Sequence, residues 1–405
     1  MTPQEARERI LECIGAPGSE APIEHVPLIQ AAGRILATEA VSDVDLPPFE
    51  KSMMDGYAMR SADFSNGLPA AGLECVGESR AGVPFDAGVA SGTCIEIFTG
   101  AELPADCDAV EMVERTRRGG DRIFFERPVV CDQNVSHLGE ILRQGRAVMA
   151  PGRLLSAPDL SVLASIGCDP VPVHKRLVVS VLTTGDELVP PSQVPGRGQI
   201  REGNTHYLSA ACAALGCEVR ASGIIPDKTD ALEAAFEKAL GEGDLLITTG
   251  GVSVGKYDLV AASFEKLGVE PVLSRVAIKP GKPIWFGMKG PVPVFGLPGN
   301  PVSSLLGFEV FVRPAMARLA GGNENLQRER VLRGRWMGPE KRSRERQFNL
   351  PISVTQGEDG LSELRPVPFR GSSDIVSASQ ADGLVIIPAD GRIQTGELVR
   401  YRPLG

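Results

Sequence analysis

The sequence predicts a multidomain protein of mixed α/β and β class, with a doubly wound α/β domain between two β-rich regions. The chain has 405 residues, more than one hydrophobic core usually organises, so three or four domains are expected. From Arg176 onward, apolar strands alternate with amphipathic helices that are followed by glycine. Before and after this region, short apolar runs are separated by Gly, Pro and Asp turns, which is typical of β structure.

The α/β prediction depends on a regular alternation of patterns. Residues 177–182 are apolar except for Ser180, as in a strand buried on both faces of a mainly parallel sheet. Further strands are predicted at 219–225, 245–249 and 294–297. Helices are predicted between them, each with one apolar face, and they are expected to stop at Gly216, Gly241 and Gly268. Asn300-Pro301 is expected to begin a long final helix, with an N-cap followed by proline.

The flanking regions predict smaller β domains. Between about residues 67 and 135, short apolar runs favour a small β-rich domain, and residues 331–404 fit a small β-barrel or sandwich. A short helix is predicted from Gln4 to Gly15.

Composition excludes several classes of function. The formal net charge of -9 argues against a nucleic-acid-binding protein. We expect a cytoplasmic protein, because no signal peptide or membrane-spanning apolar run is visible. The eight cysteines form no C-x-x-C pair, and the four histidines form no close pair, so neither a disulfide framework nor a histidine-built zinc site is expected.

Two predicted strands end in glycine turns of the kind that hold anions. The first is followed by Thr184-Gly185-Asp186-Glu187, and the third by Gly250-Gly251-Val252-Ser253. Ligands of open α/β sheets bind beyond the carboxyl ends of the strands, where backbone amides can cradle a phosphate. Each turn alone is also compatible with ordinary turn chemistry, but both at one edge favour an oxyanion or phosphate site.

Three acidic residues follow the same strand ends. Glu187, Asp227 and Asp258 come after the first, second and third strands. Carboxylates beside a phosphate cradle are suitable ligands for Mg²⁺, which prefers oxygen donors and neutralises phosphate charge. Alternatively, Asp227 is a helix N-cap and Asp258 only favours the helix dipole.

Two further motifs could bind an anion. In Lys279-Pro280-Gly281-Lys282-Pro283 a Pro-Gly turn can project both lysines to one side, although a lysine pair is often simply solvated. Gly296-Leu297-Pro298-Gly299-Asn300-Pro301 offers helix-start amides, with Asn300 either a ligand-binding residue or only the cap. The segment Ser52-Met53-Met54-Asp55-Gly56-Tyr57 and the pair Thr99-Gly100 are ambiguous by themselves.

Taken together, these motifs resemble one protein family. Met54-Asp55-Gly56-Tyr57-Ala58, Thr99-Gly100-Ala101 and Thr184-Gly185-Asp186-Glu187-Leu188 occur in that order, and three motifs follow them: Gly250-Gly251-Val252-Ser253-Val254-Gly255, Ala277-Ile278-Lys279-Pro280-Gly281-Lys282-Pro283 and Leu297-Pro298-Gly299-Asn300-Pro301. The chain resembles the molybdopterin molybdenumtransferase family, which includes bacterial MoeA and the E domain of gephyrin. The motifs cover nearly the whole chain.

The resemblance implies four domains and a homodimer. An elongated N-terminal domain (1–45 and 139–172) is interrupted by an inserted β-rich domain (46–138). The α/β molybdopterin-binding domain (173–325) and a small C-terminal β-barrel (326–405) follow. The active cleft is implied to lie between the α/β domain of one subunit and the insert of the other.

The resemblance also implies a reaction and its residues. The reaction is Mg²⁺-dependent insertion of molybdate into adenylylated molybdopterin with release of AMP. Glu187, Asp227, Asp258 and Asp55 are expected to be catalytic, and the first three are also expected to bind Mg²⁺. The expected substrate-binding and anion-binding residues are Thr99, Thr184, Gly185, Gly250, Gly251, Ser253, Lys279, Lys282, Pro298, Asn300 and Ser372. Further partners would be the adenylyltransferase and the acceptor molybdoenzymes.

Two segments differ from the family pattern. Where the resemblance implies arginines and an aspartate, the chain has His137, Leu138 and Ile141. Asn349 follows Phe348, where the resemblance implies an arginine. The alternative functions are molybdopterin adenylylation, because related folds carry the Thr-Thr-Gly-Gly motif, and a non-catalytic binding or scaffold role.

Overall fold

The computed structural model describes residues 1–16, 21–251 and 259–404, and the chain divides into two compact units. The larger unit comprises Met1–Thr38, Pro151–Ala157 and the chain from Pro170 onward, and the smaller comprises Glu39–Ala150 and Pro158–Asp169. This division does not test the four predicted domain boundaries, which stay a prediction. In the described residues, no helix combines the length and the apolar character that crossing a membrane requires.

A six-stranded sheet forms the centre of the larger unit. Its strands, in spatial order, are Glu218–Ile225, Val178–Thr184, Leu245–Thr249, Val292–Leu297, Trp285–Lys289 and Glu270–Leu273. The first four are parallel and the last two are antiparallel to their neighbours. The mainly parallel α/β sheet is confirmed, and the two antiparallel strands at one edge are an addition that the apolar pattern did not predict.

Successive residues of a strand point to opposite sides of the sheet. Because the side chains on both sides are apolar here, helices cover both faces. On one face of the sheet, Val179 and Val181 pack in a buried cluster with Leu208 of a helix. On the opposite face, Leu182 packs in a second cluster with Phe236 of another helix. The covering helices are Asn204–Ala214, Thr229–Glu242, Leu259–Lys266, Pro301–Gly307 and Arg313–Leu319.

Two helix ends refine the sequence predictions. Helix Asn204–Ala214 ends just before Gly216, which has a positive φ, as predicted. Helix Thr229–Glu242 continues through Gly241 and has Gly243 as its C-cap, so the predicted stop was two residues early. The final helix contains a π-helical segment, Phe308–Val312, between its two α-helical parts.

The C-terminal region is a closed five-stranded barrel. Its strands are Leu332–Trp336, Gln347–Gln356, Ser362–Pro366, Gly383–Ile387 and Leu398–Pro403. The ring closes because Gln347–Gln356 pairs with both Ser362–Pro366 and Gly383–Ile387. The first two residues of strand Gln347–Gln356 also pair with Ile278–Lys279, and this pairing joins the predicted lysine turn to the barrel. Of the two predicted alternatives, barrel or sandwich, the barrel is confirmed.

Shorter elements complete the larger unit. The predicted N-terminal helix spans Pro3–Ile14, and Thr2 and Glu5 form its capping box. The remaining short elements are Ile23–Val26 paired with Val171–His174, Leu188–Val189 paired with Ile200–Arg201, Lys341–Arg342 paired with Arg392–Ile393, and the helical segments Leu28–Gln30, Glu324–Gln327 and Ile375–Ser379.

The smaller unit contains a second six-stranded sheet, as the β-rich pattern predicted. Its strands, in spatial order, are Ala109–Met112, Gly56–Met59, Thr93–Ile97, Leu73–Ser79, Arg122–Phe125 and Thr116–Gly119. The remaining elements are the pairs Ala40–Val41 with Ala147–Met149 and Lys51–Ser52 with Val135–Ser136, the 3₁₀ segments Ser61–Phe64 and Val113–Arg115, and helix Ala157–Ser165, most of which lies in this unit.

Candidate active site

The two predicted glycine turns lie side by side at the carboxyl edge of the α/β sheet. Their strands are direct neighbours, with Thr183 in register with Thr249. Gly250 has a φ of 93° and donates its N–H to the Leu297 carbonyl at 3.3 Å. A Cβ atom on Gly250 would lie 2.2 Å from the carbonyl oxygen of Thr184, so only glycine allows this approach. The turns therefore form one surface, as the sequence predicted.

Carboxylates gather beside these turns. Asp227 accepts a short hydrogen bond from the Thr184 hydroxyl, and its own N–H donates to the Asp186 carboxylate at 3.1 Å. The Glu187 carboxylate lies over Gly185, where a Cβ atom would be 2.8 Å from its Oε2. The alternative of Asp227 as an N-cap is wrong, because Lys228 occupies the cap position of the next helix and no side chain caps it.

The third predicted acid cannot be placed beside the other two. Asp258 and Ser253 lie outside the described residues. Within the parts of the chain that are described, no three His, Cys, Asp or Glu side chains form a group that could hold a metal by itself. Mg²⁺ commonly takes only one or two protein carboxylates and completes its shell with water and substrate phosphates. The oxygen donors of Asp227 and its neighbours fit that mode of binding.

Asn204 connects three parts of this edge. At the start of its helix, its side-chain amide donates to the Thr249 hydroxyl and to the Gly299 carbonyl, both at 2.8 Å. It thereby holds the end of the third α/β strand against the loop that follows Val292–Leu297. A shared side-chain amide of this kind fixes the spacing between two ligand-facing loops.

A cationic cleft of about 580 Å³ lies where the lysine turn meets the barrel. Four of its residues are cationic: Lys279, Lys282, Arg346 and Arg370. The other described residues that line it are Pro280, Gly281, Pro283, Pro298, Asn300, Ser303, Phe348, Phe369, Gly371 and Ser372. None of these lining residues is acidic, so the cleft is suited to an anion.

Barrel contacts position the lysine turn. Lys279 pairs with Phe348 in the parallel ladder, and its Nζ lies 4.8 Å from the centre of the Phe348 ring. The Asn349 side chain donates to the Lys279 carbonyl at 3.3 Å. On the opposite wall, the Val302 N–H donates to the Ser372 carbonyl at 3.0 Å, which fixes Ser372 beside the start of the final helix.

Gly299 lies between the carboxylate edge and the cationic cleft. A Cβ atom on Gly299 would be 3.7 Å from Cα of Gly250 at the edge, while the adjacent residues Pro298 and Asn300 line the cleft. Asn300 is the N-cap of the final helix and is followed by proline, as predicted, but its side chain makes no capping hydrogen bond. One extended ligand could therefore contact both places.

Asp55 and Thr99 lie together in the smaller unit. The Asp55 carboxylate accepts hydrogen bonds from the Thr99 N–H at 2.7 Å and from the Thr99 hydroxyl at 2.8 Å. Both hydrogen bonds hold the pKa of Asp55 below its usual value, and the bond from the backbone N–H has the larger effect. Both residues are exposed, so this pair offers a carboxylate that stays ionised at neutral pH.

The segment that differs from the family pattern is tied down by glutamates. His137 Nδ1 lies 2.7 Å from the Glu50 carboxylate, and the Leu138 N–H donates to the same group at 3.2 Å. Glu140 accepts from the Ser136 hydroxyl and the His137 N–H. Ile141 is 74% exposed. The segment is thus held by hydrogen bonds to one glutamate within it and to Glu50 from a distant part of the chain.

Sequence reasoning missed four residues of this region: Arg346, Arg370, Asn204 and Asp186. Arg370 precedes the Gly371-Ser372 motif directly, and Arg346 lies two residues before Phe348. Arg346 lies in the bend before strand Gln347–Gln356, so strand alternation gave no signal for it. For Asn204 no local signal was available, because both of its acceptors come from distant segments.

The fold and the site together define a class of protein: a multidomain α/β enzyme with an anion-binding cleft beside a glycine-rich, carboxylate-bearing sheet edge. Three family descriptions match the chain in order. The MoeA N-terminal region (domains I and II) matches residues 1–167, a probable molybdopterin binding domain matches 180–318, and the MoeA C-terminal region (domain IV) matches 333–404.

Individual relatives agree over most or all of the chain. A molybdopterin molybdenumtransferase of Haemophilus influenzae is 34% identical over 415 aligned residues, covering 100% of this chain and 98% of the relative. One from Synechococcus elongatus is 36% identical over 73% of this chain and 75% of its own. The crystal structure of a molybdopterin biosynthesis MoeA protein from Pyrococcus horikoshii has a TM-score of 0.83 and 30% identity, covering 100% of this chain and 98% of that one. The chain belongs to the molybdopterin molybdenumtransferase family, a family of transferases in molybdenum cofactor biosynthesis.

Proposed function

We propose that this protein inserts molybdate into adenylylated molybdopterin and releases AMP. One observation supports the proposal: a cleft whose described lining has four cations and no acid is joined through Gly299 to a glycine and carboxylate edge. The two places differ in charge and so suit two different parts of a reaction. The cleft would take the tetrahedral dianion, and the edge would take the pyrophosphate that links AMP to the pterin.

At the edge, the chain's contribution is positioning. Gly250 lets the two turns approach closely, and Asn204 fixes the second turn against the Gly299 loop. A pyrophosphate held there would present its bond to AMP in a constant orientation, which lowers the entropic part of the barrier. The described residues of the edge include no obvious nucleophile, so positioning and electrostatics would supply the rate enhancement.

The carboxylates at the edge suit Mg²⁺. Asp227 is the residue we expect to hold it, with Asp186 and Glu187 nearby. Asp258, which lies outside the described residues, is the further predicted ligand. When bound, Mg²⁺ would neutralise phosphate charge and make AMP a better leaving group. The Thr184 hydroxyl donates to Asp227 and so orients its carboxylate toward one direction.

In the cleft, the chain's contribution is charge and hydrogen bonding. Lys279 is held by the barrel ladder, and Lys282 follows the Pro280-Gly281 turn. Their ammonium groups and the Ser372 hydroxyl would bind molybdate oxygens. The proposal includes a homodimer in which Asp55 and Thr99 of the smaller unit complete the cleft of the other subunit.

The direct test is AMP release. Purified protein is incubated with adenylylated molybdopterin and Mg²⁺, with and without molybdate, and AMP is measured by chromatography. We expect AMP release that depends on both Mg²⁺ and molybdate. Release independent of molybdate, or none at all from folded protein, would contradict the proposal.

A further inference from the structure

The side of the barrel that faces the cationic cleft is defined by strand alternation. Phe348, the second residue of strand Gln347–Gln356, lines the cleft, and Arg346, in the bend just before this strand, lines it too. Asn349 lies on the other side and is completely buried. Its Oδ1 accepts from the Arg402 guanidinium at 3.2 Å, and its amide donates to the Lys279 carbonyl. Leu350 and Ile352, which alternate with Asn349, belong to the barrel core, so Asn349 lies on the buried outer face of the barrel and its side chain is engaged with Arg402 rather than with the cleft.

Two arginines nevertheless reach the cleft from separate segments. Arg346 comes from the bend just before barrel strand Gln347–Gln356, and Arg370 from the loop that leads to Ser372. Among the described residues, neither guanidinium has a carboxylate within 4.0 Å, although many of the chain's other arginines do. Asp374, the acid nearest to Arg370 in sequence, is occupied by the Arg370 N–H and by Ser377.

We propose that Arg346 and Arg370 bind the oxyanion directly and supply the guanidinium contacts that position 349 does not. A guanidinium offers paired donors that match two oxygens of a tetrahedral dianion, whereas a lysine offers a point charge. The two arginines line the same cleft as Lys279 and Lys282 of the lysine turn. This inference depends on the proposed oxyanion role of the cleft and assigns two residues to it.

Sodium molybdate is the probe, titrated into full-length protein by calorimetry at constant ionic strength. The variants are Arg346→Gln and Arg370→Gln, and the matched control is Arg344→Gln, an exposed arginine of the same segment that does not line the cleft. Lys282→Gln tests the cleft independently of the arginines. Thermal melting of each variant checks that it remains folded.

We expect each cleft arginine variant to weaken molybdate binding about tenfold to a hundredfold, the usual effect of losing a charge-assisted hydrogen-bond pair. Arg344→Gln should bind within about twofold of wild type, since exposed charges are screened. Arg346→Lys retains the charge but not the paired donors, and it should still bind at least several-fold more weakly than wild type.

The outcomes separate this inference from the function it depends on. If Lys282→Gln loses binding but both arginine variants bind like wild type, the cleft stands and the arginine assignment is overturned. If Arg344→Gln weakened molybdate binding as much as Arg346→Gln, the assignment would also be overturned, because the loss would then reflect the removal of any nearby positive charge rather than of a direct contact. If wild-type protein binds no molybdate, both the inference and the proposed role of the cleft fail.

Discussion

The carbonyl oxygen of Thr184 lies 2.2 Å from the position that a Cβ atom on residue 250 would occupy. Two strands that are neighbours in the sheet thus continue into turns that touch through backbone atoms alone. Such close packing requires glycine on one side, and Gly250 also has a φ of 93°, which disfavours any side chain. The geometry of the proposed pyrophosphate site depends on this contact.

Gly250→Ala should therefore separate the two turns. We expect a loss of about 1–3 kcal/mol in the free energy of unfolding from the positive φ and the steric clash, together with loss of AMP release. Gly241→Ala is the matched control, because a Cβ atom there meets nothing within 4 Å and the residue lies inside helix Thr229–Glu242. It should stabilise the protein by about 0.5–1 kcal/mol. Urea unfolding decides; a Gly250→Ala protein of wild-type stability would contradict the contact.

Asp227→Asn should abolish activity while preserving the fold. The substitution keeps the shape and an acceptor for the Thr184 hydroxyl but removes the negative charge. If this charge holds Mg²⁺, AMP release should fall at least about a hundredfold, since metal stabilisation of phosphate charge is worth several kcal/mol. Asp230→Asn, in the first turn of the following helix, is the control and should retain activity. Normal turnover by Asp227→Asn would remove Asp227 from the site.

Mixing two inactive variants tests the proposed homodimer. Asp55→Ala removes the carboxylate that Thr99 holds in the smaller unit, and Asp227→Ala removes one from the α/β edge. In a mixed dimer with shared clefts, one cleft carries both changes and the other carries neither. Mixing should then restore AMP release, up to about half the wild-type activity per heterodimer. Heterodimers verified by mass spectrometry that stay inactive would exclude shared clefts.

Glu329→Gln should destabilise the larger unit strongly. Arg402 is only 2% exposed, and its guanidinium bonds to Glu329, which also pairs with Arg7 at 2.9 Å. Removing the carboxylate leaves a buried charge without its counterion, at a cost of about 3–5 kcal/mol in the free energy of unfolding. Glu324→Gln is the control: it breaks an exposed pair with Arg328 and should cost less than about 1 kcal/mol. Chemical denaturation that gives equal values for both variants would refute the argument.

The same pair predicts a pH dependence of stability. Burial raises the pKa of Glu329, but Arg402 and Arg7 outweigh this effect and hold its pKa below the usual value. A depressed pKa in the folded state contributes stability at pH values above the unfolded pKa of about 4.3, and this contribution is lost as the pH falls through the folded value. The stability difference between wild type and Glu329→Gln should therefore shrink below about pH 4.

The pKa values of His137 and His174 should be shifted in opposite directions from the usual histidine value. The hydrogen bond to Glu50 raises the pKa of His137, whereas burial lowers the pKa of His174. NMR titration should give values on either side of about 6.5, and Glu50→Gln should lower only that of His137. Because the folded pKa of His137 is raised, its pairing stabilises the fold below the unfolded pKa and loses this effect as pH rises through the folded value. Equal pKa values would contradict both contacts.

The sequence by itself determined the order of elements and the location of the sheet edge where the glycine turns and carboxylates meet. Continuous apolar strands, helices with one apolar face and the glycines after them predicted the α/β domain, because these patterns reflect local geometry. The acids Glu187 and Asp227 were placed at the correct edge, since every parallel strand of such a sheet ends there. The family motifs added Asp55 and Thr99, which the structure shows bonded to each other.

Only the tertiary structure decided how the cationic cleft is built. Lys279, Asn300, Arg346 and Arg370 come from four separate segments, and their proximity depends on the pairing of Ile278–Lys279 with the barrel. No periodicity within one segment encodes such a contact. The same reason explains Asn349: its position after Phe348 suggested the cleft, but its side chain bonds to Arg402 on the buried outer face of the barrel, opposite the core residues Leu350 and Ile352. Local patterns determine which face a residue occupies, whereas the packing of distant segments determines what that face meets.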